Sequence, residues 1–165
     1  MNVGMLGEQH LQRVGEAVAI VFEGREITNL EVRRNSARMG NALRRLGIGV
    51  DDIVAVTMSN CPEVFEAFGG VYAIGGTALP ILFVLSADEC RFILEDSEAV
   101  AVVTDTILLP KVLEATEGLE TLRHVIVVGG EDSERTLSYE GLLADSSPEL
   151  EMVDRAPDDV AILMY

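Results

Sequence analysis

The sequence predicts an α/β fold: a mostly parallel sheet with flanking helices, preceded by a short N-terminal β-hairpin. Three observations carry this. Short runs of Val, Ile and Ala alternate with longer segments of helical period, the rhythm of βαβ units. The runs are apolar at consecutive positions, as in parallel strands covered on both faces. Ahead of them stands "AVAIVFEGREIT", two short strands around a Glu-Gly tip.

Taken in order, Ala17–Phe22 and Arg25–Thr28 are the hairpin strands. Thr28 and Glu31 have the spacing of a capping box, in which hydroxyl and carboxylate each satisfy the other's backbone N–H. The helix they open carries Val32, Met39, Leu43 and Leu46 on one face and stops at Gly47. Ile53–Met58 is a strand. Pro62 and Glu63 start a second helix, to about Ile74, and Thr77–Ile81 is a strand. Ser86–Glu89 is another capping box, for a helix to about Asp96. A strand over Ala99–Thr104, a helix over Ile107–Glu117, a strand in "HVIVVGG" and a short helix over Ser138–Ala144 follow. Leu150–Asp158 is a polar connection, and Val160–Met164 is a final buried strand. The crossovers are expected to be right-handed.

At 165 residues and 48% hydrophobic, the chain is one α/β unit with a real core rather than a disordered segment. Its formal net charge of -16, with 28 acids against 12 basic residues, argues against nucleic acid and against an anionic membrane surface. Only one basic residue is a lysine, Lys111. An acidic, Lys-poor composition fits a salty cytoplasm or genome bias equally. Two cysteines, Cys61 and Cys90, make no disulfide framework, so a reducing cytoplasm is expected. Residues 1–13 lack the basic start and apolar core of a signal peptide. Ala67 to Ala87 carries no charge over 21 residues, the length of a membrane span. Its four glycines and Pro80 instead punctuate a helix end, a turn and a strand.

Candidate chemistry is sparse. His10 and His124 are far apart, and no Cys/His cluster has zinc spacing. The G-x-S-x-G elbow, the Walker loop and the dinucleotide G-x-G-x-x-G are all missing. "GGEDSE" follows a strand as a phosphate loop does, but Glu131, Asp132 and Glu134 would repel a phosphate. Cys61, before Pro62 at a helix start, is either a thiol activated by the helix dipole or a small buried residue. With no base nearby in sequence, the second is expected. Arg34, Arg38 and Arg45 share a face of the first long helix, as an anion-docking stripe or as a solvated face paired with acids. The second is the expectation on so acidic a surface.

The order of these segments resembles the start of the AMP-forming acyl-CoA synthetases, within the adenylate-forming ligase superfamily. "REITNLEVRRNSARMGNALRRLGIGVDDIVAV" is similar to the family's opening hairpin, first helix and first parallel strand. "SNCPEVFEAFGGVYAIGGTALPI" resembles its Asn-x-Pro-Glu helix and small-residue turn into a proline. "LSADECRFILEDSEAVAVVTD", "LRHVIVVGG" and "LSYEGLLAD" resemble the elements that follow, and "DDVAILMY" the strand before the phosphate-binding loop. Asn29, Asp51 and Ile81 depart from the aromatic, glycine and asparagine that the family often has.

The resemblance implies the N-terminal part of the AMP-binding domain of a ligase. Such a ligase activates a carboxylic acid, here a fatty or aromatic one, with ATP and Mg²⁺ and passes the acyl group to CoA. It implies that the phosphate-binding loop and C-terminal domain lie beyond Tyr165. No catalytic, nucleotide-binding or metal residue is then assigned within the chain, and Tyr165 flanks the missing loop. Residues 1–165 alone are expected to be inactive and to bind no cofactor, with the remainder of the ligase as partner and self-association through exposed strand edges. Two alternatives remain at this stage: a free-standing nucleotide-binding or receiver-like module, and a non-enzymatic interaction or oligomerisation domain.

Overall fold

The computed structural model describes residues 2–165. Met1, the first residue of the segment read for a signal peptide, lies outside the described residues. A helix α1 (Met5–Val14) comes first, without counterpart in the sequence reading. The hairpin follows as β1 (Val18–Phe22) and β2 (Arg25–Thr28), paired antiparallel. Its tip residues Glu23 and Gly24 both sit at positive φ, as a tight two-residue turn with the right twist requires.

The first long helix, α2 (Asn29–Arg45), is half capped as expected: Thr28 accepts from the Glu31 N–H. The Glu31 carboxylate does not return the bond. It pairs with Arg25 instead, so the reciprocal box is a single cap. At the far end Gly47, at φ 75°, lets the Ile48 N–H return to the Leu43 carbonyl.

From there the chain winds as β3 (Ile53–Val56), α3 (Glu63–Ala73), β4 (Thr77–Pro80), α4 (Ala87–Asp96), β5 (Ala101–Asp105), α5 (Leu109–Ala115), β6 (His124–Val128), β7 (Leu137–Ser138) and α6 (Tyr139–Ala144). The sheet is five-stranded and wholly parallel, in the order β4-β3-β5-β6-β7. The capping box at Ser86 and Glu89 forms in full. The uncharged stretch from Ala67 divides into the end of α3, a Gly75-Gly76 turn and β4. Among the described residues no helix is long and apolar enough to cross a membrane.

Each sheet face carries its own core. Val54, Val56, Ala101, Val103 and Ile126 pack with Met39, Leu43, Val71 and Tyr139 of the α2–α3–α6 layer. Ala55, Leu79, Val102 and Val127 pack with Ile93 and Leu94 of α4 and Val112 of α5 on the other. Neighbouring positions of one strand thus enter opposite cores, which is why the strands are apolar without alternation. Helices α2 and α3 approach closely because glycines face each other. A Cβ on Gly70 would lie 2.8 Å from the Met39 side chain and 2.9 Å from the Gly40 backbone nitrogen.

The final buried strand is a correction. Residues 161–163 make one isolated parallel bridge, Ile162 to Ala78, along the outer edge of β4. Val160, Ile162, Met164 and Tyr165 are exposed. An apolar run becomes a buried strand only when something covers both of its faces, and here Leu163 alone packs inward while the alternate residues face outward.

Candidate functional site

In an open parallel sheet, ligands bind beyond the carboxyl ends of the strands, where the winding changes direction. That point lies at β3, with β4 on one side and β5 on the other. The loop after β3 (Thr57–Cys61) and the loop after β5 meet there around Asp105. Its carboxylate accepts from the Ser59 N–H at 2.6 Å and from the Leu108 N–H at 2.8 Å. Burial opposes the charge, but these backbone donors win and hold the Asp105 carboxyl below the usual carboxylate range. Thr57 and Thr104 lie on these same strand ends. Their Oγ1 atoms are buried with no partner among the described residues.

Three amides at this edge are already occupied by carboxylates. Asp105 takes those of Ser59 and Leu108, and Glu140 takes that of Gly129 at 2.9 Å. In the "GGEDSE" loop Asp132 accepts from the Ser138 N–H. The single lysine is committed as well: Lys111 Nζ donates to the Phe83 carbonyl at 2.6 Å and the Leu85 carbonyl at 2.8 Å. Among the described residues no group of three or more His, Cys, Asp and Glu could hold a metal ion.

The other candidates are structural. Cys61 is not activated: burial and the neighbouring Glu63 push its thiol up to about 12, overriding the lowering by the backbone N–H groups of α3. His124 Nε2 lies 3.3 Å from the Leu46 carbonyl, tying β6 to the end of α2. Of the arginine face, Arg45 donates to the Leu142 and Asp145 carbonyls, while Arg34 is exposed and Arg38 half-buried. The arginines are thus not gathered into one anion site.

Tyr165 follows the segment bridged to β4 and lies against α4. Its hydroxyl donates to Asp96 at 2.6 Å, and its ring meets Phe92 edge-on, with centroids 6.5 Å apart. The bond to Asp96 raises the Tyr165 phenol. The structure adds a polar cluster that the sequence reading missed. Glu66 of α3, 5% exposed, accepts from Asn35 Nδ2 of α2 and from the Tyr139 hydroxyl of α6, both at 2.8 Å. No local pattern marks it, because its partners lie 31 and 73 residues away.

A family model described as AMP-binding enzyme matches residues 7–165. Over 98% of its length the chain is 30% identical to a 3-hydroxybenzoate–CoA/4-hydroxybenzoate–CoA ligase of Thauera aromatica, of which it covers 31%. Over 99% of its length it is 29% identical to a 3-oxocholest-4-en-26-oate–CoA ligase of Rhodococcus rhodochrous, of which it covers 30%. The chain thus spans about three-tenths of the length of these curated relatives. Among solved structures, an anthranilate CoA ligase, AuaEII, in complex with anthranoyl-AMP superposes with a TM-score of 0.93. There the identity is 25%, over 98% of this chain and 31% of that one.

Proposed function

Because the chain belongs to the AMP-binding enzyme family, we propose that it forms the N-terminal part of the AMP-binding domain of an acid–CoA ligase. The observation that carries this is the family-model match over residues 7–165, with a ligase structure superposing at a TM-score of 0.93. The acid proposed is fatty or aromatic. The relatives' names, a steroid acid and hydroxybenzoates, support an apolar acyl group.

A carboxylate resists nucleophilic attack because its own charge repels the nucleophile. Transfer to AMP supplies a leaving group, and the CoA thiol then displaces it. That chemistry needs phosphate donors, a metal and acid-orienting groups held in place. In the carboxyl-edge loops the Ser59, Leu108 and Gly129 amides are already taken by Asp105 and Glu140. On this reading ATP, Mg²⁺ and CoA are handled by polypeptide following Tyr165, with Tyr165 flanking the phosphate loop and the remainder of the ligase as partner. A cytoplasmic setting fits the two free thiols, Cys61 and Cys90.

Pyrophosphate release by the purified chain with ATP, Mg²⁺ and benzoate or decanoate tests the reading. No turnover is expected, and ATP-dependent release overturns the placement of the machinery. Reading the gene past the Tyr165 codon is the complementary test. A Gly/Ser/Thr-rich loop ending in lysine is expected, and an immediate stop codon favours an interaction domain.

A further inference from the structure

Away from the strand ends lies a cavity of about 560 Å³, within the ~300–1,000 Å³ range of small-molecule sites. Helix α1 crosses it as a lid. Val32 and Ala37 of α2 and Phe68 and Tyr72 of α3 form its floor, and Ile20 of the hairpin and Met152 close its sides. No residue of β3–β7 lines it.

Three features make this a site rather than a packing fault. First, α1 buries none of its own residues, although it lies over an apolar floor. Second, the space is open on the lid side, where Gly7 is exposed. A Cβ placed on Gly7 of α1 meets no atom within 4 Å, whereas one on Gly69 of the floor would lie 2.3 Å from Ser36 Oγ. A larger side chain at Gly7 therefore has room to enter the space from this side. Third, the polar groups around it are already engaged with protein. Arg33 pairs with Glu8, joining floor to lid. The Asn29 side chain accepts from the Ala17 N–H and donates to the Gly15 carbonyl. Beyond that ion pair, His10 and Tyr72 are the ionisable lining residues. A charged ligand would enter an apolar space whose one cation is already neutralised, losing hydration without return.

We propose that this cavity binds an uncharged apolar small molecule, an alkyl chain or fused-ring compound without a charged head, held between α1 and the α2–α3 floor. The site is separate from the strand-end edge, so the proposal stands or falls independently of the ligase reading.

The test is a titration of the methyl-labelled chain, residues 1–165, with 1-decanol, followed by NMR. Saturable shifts and intermolecular NOEs at Leu6, Val32 and Ala37 are expected. Decanoate and decylammonium should bind at least tenfold more weakly. Gly7→Phe fills the space from the lid without touching the core and should weaken decanol binding at least tenfold. Val32→Trp, which fills it from the floor, should do the same, with unshifted Val54 and Val103 methyls reporting an intact core. Phe92→Ala, on the far apolar surface, should bind as the parent does. The proposal is overturned by no saturable binding up to the solubility of decanol, by equal binding of the charged analogues, by NOEs confined to Leu82 and Phe92, or by undiminished binding in folded Gly7→Phe.

Discussion

Glu66, Asn35 and Tyr139 join three helices of one layer through a single buried carboxylate. Burial raises the Glu66 carboxyl despite both hydrogen bonds. Because its folded value exceeds its unfolded one, it contributes stability fully present below the ordinary carboxylate range. That contribution is lost as pH rises through the folded value. Asp105 runs the other way. Its value is lowered on folding, so its contribution is present above the ordinary range and lost as pH falls through the folded value. Glu66→Gln keeps an acceptor and a donor for the two partners and should flatten the loss above the carboxylate range in urea titrations at several pH values, leaving the acid limb. Asp105→Ala should remove the acid limb and cost about 1.5–3 kcal/mol near neutrality, through two backbone N–H groups losing a charged acceptor. Cys61, with its thiol near 12, should react with iodoacetamide at pH 8 at least tenfold more slowly than free cysteine, whose pKa is about 8.5.

The α2–α3 pair shows how far the elements could be foreseen. Both helices are legible from caps and apolar spacing, but their closeness is not, because it depends on Gly40 and Gly70 meeting across the interface. Gly70→Ala should destabilise by about 1–3 kcal/mol in denaturant melts, since its Cβ has no room beside Met39 and Gly40. Two elements escaped the sequence reading. Helix α1 buries none of its residues, and β7 has only two residues. The last strand was read where only a bridge exists, because five apolar residues look alike whether or not a neighbour covers them. At Asp51 the structure shows how a non-glycine residue holds a left-handed turn. The residue sits at φ 65°, where glycine is easiest and Asp is tolerated, and its carboxylate pairs with Arg155 at 2.6 Å.

For the molecule as a whole, a net charge of -16 opposes association through the exposed apolar side chains Leu82, Phe83, Val84, Phe92 and Met164. Lys111 fixes the backbone of the 83–85 turn, so those side chains are held outward rather than folded away. Self-repulsion is screened once the Debye length falls to about 10 Å near 0.1 M salt, while apolar attraction is not. Sedimentation velocity should therefore show association rising between low and moderate NaCl, with Phe83→Ser and Val84→Ser together reversing it. Association unchanged by salt or by these substitutions would locate the contact elsewhere, at a strand edge.

The caps at Thr28 and Ser86, the Glu23-Gly24 tip, the stop at Gly47 and the doubly apolar strands were all legible because each rests on residues a few positions apart. The family resemblance was legible too, since it rests on the order of those same local units. Strand order, the facing glycines, the Glu66 cluster, the filling of the strand-end amides by Asp105 and Glu140, and the open space under α1 were decided only in three dimensions. Each depends on groups brought together from distant parts of the chain, and burial, desolvation and close packing act on those neighbours rather than on sequence spacing.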